Sequence, residues 1–389
     1  MVTGDAAYIK KMNRSLIIQT IVNERMISRA DLSKATSLTR ATISAQVADL
    51  LETGLLREIE HEHSSVGRKP IMLSLNAQAG YAIGIDLDYG EISFTVTDLL
   101  GKPVSSKTIT LETTEYQEIV RLLARHIRAY IEEYKQSRYG IVGMAIAIHG
   151  LVSKRESIHF VPRFRWHHLN LKKDLENEIG CDIPIFLENN ANLSALAERV
   201  FIHHETNNLL CLTLYSGIGL GMIINNEFFQ GYDGFAGEAG HMIVVPDGRL
   251  CNCGNKGCWE KYASESCVFE SLAKCKQVKY VTYEYIQKLL AEGDEETERI
   301  MEQFIYYLAV GINNIINLYN PEVVVLNSRL LGMHPDALGH IQQHLRSSIS
   351  HYRQLSLSTI GKKACILGAC ALAITHFLDV PIVNLPYEP

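Results

Sequence analysis

Three cysteines, Cys251, Cys253 and Cys258, fall within eight residues, and His241 precedes the first of them by ten. Three thiolates and one imidazole are the donor set of a closed tetrahedral zinc site, and four protein ligands leave no open position for a catalytic metal. Gly254 and Gly257 allow the short loop between them to fold back round an ion. The competing reading is a cluster of unliganded thiols; the donor set favours structural zinc. The chain holds nine cysteines, an odd number that does not suggest a disulfide framework. The other six mostly sit among apolar neighbours and are expected to be buried free thiols.

A second chemistry lies at the N-terminus. Residues 13–22 read as a helix with Leu16, Ile17 and Ile21 on its apolar face. Ser28, with Asp31 at the capping-box position, starts a short second helix ending near Ser37. Thr39 can cap a third helix reaching Thr53, with Gly54 suited to its end. Ile43, Val47, Leu50 and Leu51 recur at helical spacing and face the core of this module, while Ala41, Thr42, Ala45 and Asp49 point away. Arg40 and Gln46 are expected to flank that outward face. Small side chains permit close approach to a groove, methyl groups of threonine and alanine contact thymine methyls, and glutamine pairs with adenine. Two β runs follow, residues 55–59 and 71–75, joined by HEHSSVGRKP, whose Arg68 and Lys69 give a basic tip able to follow phosphates or enter a minor groove. The whole reads as a winged helix-turn-helix over residues 1–78; the bland alternative is a protein-contact module.

The elements that position the metal motif belong to a larger α/β body. YAIGIDLDYGEISFTVTDLLGK reads as a hairpin with an acidic turn, residues 116–134 as a helix, and IVGMAIAIHG as a buried strand entering a glycine loop. IPIFLENNANLSALAERVF reads as strand, polar loop and helix. The pattern then repeats with LLCLTLYSGIGLGMIINNEFFQG as a second hairpin and PEVVVLNSRL as a later strand. Residues 270–300 read as a polar, helical insertion. Two copies of one strand-rich unit imply paired lobes round a cleft, residues 79–197 and 198–389, with the last helix packing back on the first.

Composition is that of a globular protein, 47% hydrophobic and 21% charged, with no apolar run near the roughly 18 residues of a membrane span and no signal-peptide core. The chain is therefore read as cytoplasmic, with no membrane partner. Its formal charge of −6 is uneven: residues 1–75 hold 10 Lys/Arg and 8 Asp/Glu, against 27 and 35 in the remainder. A mildly basic segment on an acidic body fits a DNA-binding module joined to a receptor for another ligand.

GIGLG at 217–221, GEAGH at 237–241, CNCGNKGCWE at 251–260 and ENNAN at 188–192 together resemble the ROK family of repressors, open reading frames and sugar kinases over essentially the whole chain. With its winged helix, the chain is similar to the repressor branch, and within it to repressors of xylose operons. The resemblance implies an actin-like, ribonuclease-H-type fold in two lobes, a homodimer or dimer of dimers, operator DNA as partner and a sugar effector, D-xylose above all. It also implies that Asn189, Glu238, His241 and Glu260 hold the sugar hydroxyls, with Asn190 as a further contact. His241 would then serve both zinc and sugar, so that the metal fixes a ligand-binding loop.

The same resemblance carries a rival, an ATP-dependent sugar kinase. Asn190 stands where those kinases carry an aspartate base, and an asparagine cannot accept the proton; loss of a general base costs about 10²–10⁴-fold in rate. Asp88, Tyr89 and Gly90 replace a Gly-Gly-Thr phosphate loop, Tyr215 and Leu220 stand at glycine positions of the second loop, and Asn327, Ser328 and Arg329 replace a glycine triplet. His149–Gly150 stands where the family has Pro–Gly. The asparagine and the three altered loops together argue against phosphoryl transfer, so the expectation is a repressor that releases its operator on binding sugar, with the kinase, or a repressor responding to glucose or N-acetylglucosamine, as the alternative.

Overall fold

The computed structural model of the chain describes residues 6–60 and 71–388. The described residues form two compact units: 6–60, 71–189, 200–204 and 366–388 in the first, and 190–199 and 205–365 in the second.

The first unit begins with α1 (Ala6–Glu24), a two-residue strand β1 (Ile27–Ser28), α2 (Arg29–Thr36), α3 (Arg40–Glu52), β2 (Leu56–Glu60) and β3 (Ile71–Leu75). Both short helices start where capping chemistry dictates: the Ser28 hydroxyl accepts the Asp31 N–H (3.1 Å) and the Thr39 hydroxyl accepts the Thr42 N–H (3.2 Å). Ile17, Ile21, Leu32, Ile43, Val47 and Leu50 form the buried face. The three strands pair in the order β1-β3-β2. Helix α1 is longer than its apolar run, and Leu16 is exposed rather than buried, because the covered face of α1 turns on Ile17, Ile18, Ile21 and Val22.

Next come β4 (Tyr81–Asp88), β5 (Glu91–Asp98), β6 (Pro103–Thr110), α4 (Tyr116–Tyr134), β7 (Ile141–Ile148), β8 (Leu151–Val152), β9 (Ile158–Val161), β10 (Trp166–Leu169), α5 (Leu171–Ile179) and β11 (Ile185–Asn189). The main sheet runs β11-β7-β4-β5-β6, with β4, β5 and β6 antiparallel and β7 and β11 parallel to β4. All eight residues of β7 are buried, as a central strand covered on both faces requires. Helix α4 buries Ile119, Val120, Leu123, Ala124, Ile127 and Tyr130 along one stripe.

The second unit holds α6 (Asn190–Ala197), β12 (Leu209–Thr213), β13 (Gly219–Ile224), β14 (Glu227–Phe228), α7 (Glu260–Ala263), α8 (Glu265–Lys276), α9 (Tyr283–Ala291), α10 (Glu295–Tyr319), β15 (Val323–Asn327), α11 (Ala337–His344) and β16 (Gln354–Leu357). Its sheet, β14-β13-β12-β15-β16, repeats the topology of the first: an antiparallel meander, then two parallel strands. This duplicated unit is the ribonuclease-H-type, actin-like architecture. Two local expectations are corrected. ENNAN is not a loop, since α6 starts at Asn190 directly after β11, and the second half of GIGLG belongs to β13.

The last helix, α12 (Ala364–Leu378), is the apolar stretch nearest to membrane-spanning length among the described residues, and it is mostly buried in the protein. Of the six further cysteines, Cys211, Cys267, Cys365 and Cys370 are buried, whereas Cys181 and Cys275 are exposed.

Candidate functional site

The metal motif closes into one cluster in the second unit. His241 ends a short 3₁₀ turn, and the loop that follows folds back through β-bridges between Ile243 and Cys258 and between Leu250 and Lys256. Backbone bonds fix it: Val244 N–H to Gly257 O (2.9 Å), Gly257 N–H to Arg249 O (2.8 Å) and Cys251 N–H to Asn255 O (2.9 Å). Gly257 has φ +84°, and a Cβ there would lie 1.7 Å from Val245 O, so only glycine fits this crossing. Trp259 is fully buried, its indole donates to Tyr307 O (2.7 Å), and it fills the space left by Gly311 on α10. That anchor sets Cys258 on one side and Glu260, the first residue of α7, on the other.

The ligand atoms of His241, Cys251, Cys253 and Cys258 all lie within 4.8 Å of one another. Cys253 Sγ is 3.6 Å from Cys258 Sγ, and Cys251 Sγ is 3.7 Å from His241 Nδ1. A tetrahedral ion with bonds of about 2.3 Å to sulfur has S···S edges of about 3.8 Å, close to these two separations, so the donor set and its spacing suit zinc. Burial pushes the Cys251 thiol up to about 12, and the Glu260 carboxylate it donates to (3.1 Å) adds to the rise. Backbone hydrogen bonding by Asn255 instead lowers Cys253. Metal binding would therefore release protons and strengthen with pH.

Two carboxylates stand at the edge of the cluster. Glu238 Oε2 is 3.8 Å from His241 Nε2, and Glu260 Oε1 is 3.8 Å from His241 Nδ1. Partial burial raises the Glu238 carboxyl above its ordinary value, His241 opposes this, and Glu260 adds to it. Gly217 of the glycine loop leaves room for Glu260, since a Cβ there would lie 2.9 Å from Glu260 Oε2. The imidazole thus turns Nδ1 to the thiols and Nε2 to Glu238.

Asn189 lies in the first unit at the end of β11, where its amide donates to Gly150 O (2.9 Å). Its neighbour Asn190 opens α6 in the second unit, and its carbonyl accepts from Ser194 (2.8 Å). His149, beside Gly150, bonds Asp86 (2.8 Å) through Nε2. Burial pulls the His149 pKa down, but Asp86 and Asp88 outweigh it and raise the value. Asp88 takes the Tyr89 N–H (2.7 Å) and faces Arg163 (3.6 Å), whose guanidinium lies 5.0 Å from the Tyr89 ring centre. A phosphate loop offers free backbone N–H groups; here a carboxylate already uses one.

The other two loops, both in the second unit, are likewise spanned by side chains. Tyr215 donates to Asn327 Oδ1 (2.8 Å), whose amide donates to Gly361 O (3.0 Å). Glu265, fully buried, accepts from Ser328 (2.6 Å), from the Leu330 N–H (2.9 Å) and from Tyr283.

On the N-terminal module, Arg40, Ala41 and Ala45 are exposed and Thr42 half-buried along one side of α3. Gln46 is a correction: it is 5% exposed, and its amide donates to Lys10 O (3.5 Å), because α1 covers that flank of α3. It is not available to a base edge. Ser44 and Ala48 share the exposed face and were missed, although the helical period that selects Ala41 and Ala45 also reaches them. Arg68 and Lys69 lie outside the described residues.

A model of the ROK family matches residues 82–376. The chain is 37% identical over 382 residues to a xylose repressor of Bacillus spizizenii, covering 97% of this chain and 98% of that one. Its structure is similar to that of a ROK family transcriptional regulator described as a homologue of the Escherichia coli MLC protein, with a TM-score of 0.81, 25% identity and coverage of 95% of this chain and 97% of that one. A ROK family glucokinase from Streptomyces griseus, in complex with glucose and AMPPNP, matches with a TM-score of 0.66 and 25% identity, covering 75% of this chain and 99% of its own.

Proposed function

The chain belongs to the ROK family, and from that premise we propose that it is a sugar-responsive transcriptional repressor, not a kinase, that leaves its operator on binding D-xylose. The observation that carries this reading is a likeness to a named xylose repressor that runs through the winged helix as well as the body, whereas the family model starts at residue 82, beyond that helix.

DNA is met by α3, with Arg40 toward phosphates and Ala41, Thr42 and Ala45 at base edges, where small apolar groups suit thymine methyls. Arg68 and Lys69 at the wing add phosphate or minor-groove contacts. A homodimer brings two such helices to successive major grooves of a near-palindromic site. The sugar is held by Asn189, Asn190, Glu238, Glu260 and the Nε2 side of His241, whose carboxylates and amides suit vicinal hydroxyls. Zinc on Cys251, Cys253, Cys258 and His241 Nδ1 supplies rigidity to that loop and no chemistry. The protein works in the cytoplasm, where operator and imported sugar meet. Sugar and operator oppose each other through a coupling typically about 1–3 kcal/mol, and each weakens the other by the same factor.

The test is a thermal-shift panel of D-xylose, D-glucose and N-acetylglucosamine, each with and without Mg-ATP. A sugar at 100 times its dissociation constant stabilises the native state by about 2.7 kcal/mol. Xylose is expected to shift the transition with no addition from Mg-ATP, and Glu260→Ala to abolish the shift while DNA binding persists. ATP consumption in the presence of sugar would return the kinase.

A further inference from the structure

Tyr139 stands where three parts of the first unit meet. Its backbone N–H donates to Ala79 O (2.7 Å), in the segment leaving the winged helix. Its ring lies edge-on to Phe377 of α12, with centroids 5.1 Å apart. Its hydroxyl donates to Thr53 O (2.9 Å), and Arg138 Nε donates to the same oxygen (3.2 Å). Thr53 is the C-cap of α3, the helix whose outer face is offered to DNA. A helix leaves its last carbonyls without intrahelical partners. At the end of α3, two side chains from outside the DNA-binding module converge on one carbonyl.

A second attachment holds α1. Gln19 donates through Nε2 to Ile382 O (3.1 Å), and Lys11 pairs with Asp379 (3.1 Å), both just beyond α12. Helix α12 is also where the chain passes from the second unit into the first, between Cys365 and Ile366. One of the four places where the chain crosses between the units thus lies on the helix that ends against both attachments of the DNA-binding module.

We infer that Arg138 and Tyr139 are positioning residues that set the direction of α3 and carry the sugar response to it; this rests on the sugar-responsive reading above. Two donors on one carbonyl fix a helix end in orientation as well as place, which one flexible connection does not. Because the Tyr139 ring rests on Phe377, displacement of α12 moves the hydroxyl that holds Thr53. The contact is also breakable: Arg138 is exposed and Tyr139 half-buried, so it can open without opening a core.

The experiment measures fluorescence anisotropy of a DNA duplex selected from random sequence by the wild-type protein, with and without D-xylose. The wild-type ratio of the two dissociation constants is expected within the usual allosteric range of about 5–150. In the double variant Arg138→Gln, Tyr139→Phe, the ratio is expected to fall below about 2 while the xylose-induced thermal shift is retained. Sugar-free DNA binding weakens about three- to tenfold, the scale of one or two hydrogen bonds. Tyr139→Phe alone, which keeps the ring on Phe377, moves the ratio the same way, and Arg138→Lys alone, which keeps a donor, leaves most of it. A double-variant ratio within twofold of wild type overturns the inference. If D-xylose leaves wild-type DNA binding unchanged, the sugar reading fails by itself and sugar-free binding decides. Weakening of threefold or more at an unchanged melting temperature then supports the positioning role, and equal binding overturns it.

Discussion

Replacing Gly257 with alanine tests whether the ligand loop is built as described, because the cost can be separated into two parts. Gly254 and Gly257 both have positive φ, +97° and +84°. An L-residue forced there pays backbone strain of about 1–2 kcal/mol. At Gly254 nothing lies within 4 Å of an added Cβ, so strain is the whole effect. At Gly257 the Cβ would sit 1.7 Å from Val245 O and 2.7 Å from Val245 C, backbone atoms that no rotamer change removes. Carbon and oxygen at contact need about 3.3 Å, so the loop segment carrying Val244 and Val245 must retreat by more than an ångström. That breaks the bonds of Val244 and Val245 N–H to Gly257 O (2.9 and 3.3 Å), each worth about 1 kcal/mol. Gly257→Ala should therefore cost about 3–4 kcal/mol and Gly254→Ala about 1–2 kcal/mol. In a unit of this size the difference of about 2 kcal/mol separates their melting temperatures by roughly 4–8 °C. Zinc content, read with a chromogenic chelator after denaturation, should stay near one per chain in Gly254→Ala and fall well below that in Gly257→Ala. Equal melting temperatures and equal zinc in the two variants would refute the reasoning, because the steric contact is what distinguishes them.

Glu198, 1% exposed, bonds Ser358, and burial raises its carboxyl to about 7. An acid raised from 4.5 binds more protons folded than unfolded between those values, so its contribution to stability falls as pH rises from about 4.5 to 7. Glu198→Gln keeps an acceptor for Ser358 and removes the charge; thermal melts should show it stabilised at pH 8, by at most about 3 kcal/mol, and little changed at pH 4.5. A gain equal at both pH values would contradict this. Gly311→Ala places a Cβ 1.9 Å from the Trp259 ring, beyond ordinary overpacking, which costs about 1–3 kcal/mol. The expected outcome is a lower melting temperature with a red shift in tryptophan emission, since Trp166 is the only other indole.

The caps of the winged helix were legible because Ser28 and Thr39 act locally, and the metal set because ligand spacing is itself local. The start of α1 was not: its first turns expose Tyr8, Ile9 and Met12 and bury no stripe, so no apolar period marks them. The run ENNAN reads as a loop because it is polar, yet Glu188 and Asn192 are buried at 6% and 2% exposure. A polar sequence in a strand–helix junction violates local preference, and such violations concentrate at functional sites. Gln46 failed for a tertiary reason, the cover of α1, and Arg138 and Tyr139 carry no local signal at all, since their partner Thr53 lies 85 and 86 residues away.

The three altered nucleotide loops follow one physical logic. Glycines in a phosphate loop are costly in chain entropy and are retained because phosphate replaces the missing contacts. Without a nucleotide to bind, side-chain hydrogen bonds within such loops are favoured, and each loop here has one: Asp88 on the N–H of the adjacent Tyr89 in the first unit, Tyr215 on Asn327 and Ser328 on Glu265 in the second. On the proposed reading, phosphate binding at these loops would have to break those hydrogen bonds, in addition to the missing carboxylate at Asn190. Restoring an aspartate there would recover at most the general-base factor of about 10²–10⁴ and leave the phosphate sites occupied by side chains. Sensing asks far less than catalysis: a coupling of a few kcal/mol needs only that sugar favour one arrangement of the protein. Carboxylates and amides such as those of the proposed sugar contacts Glu238, Glu260, Asn189 and Asn190 suit that task, and it places no demand on the loops for open backbone N–H groups.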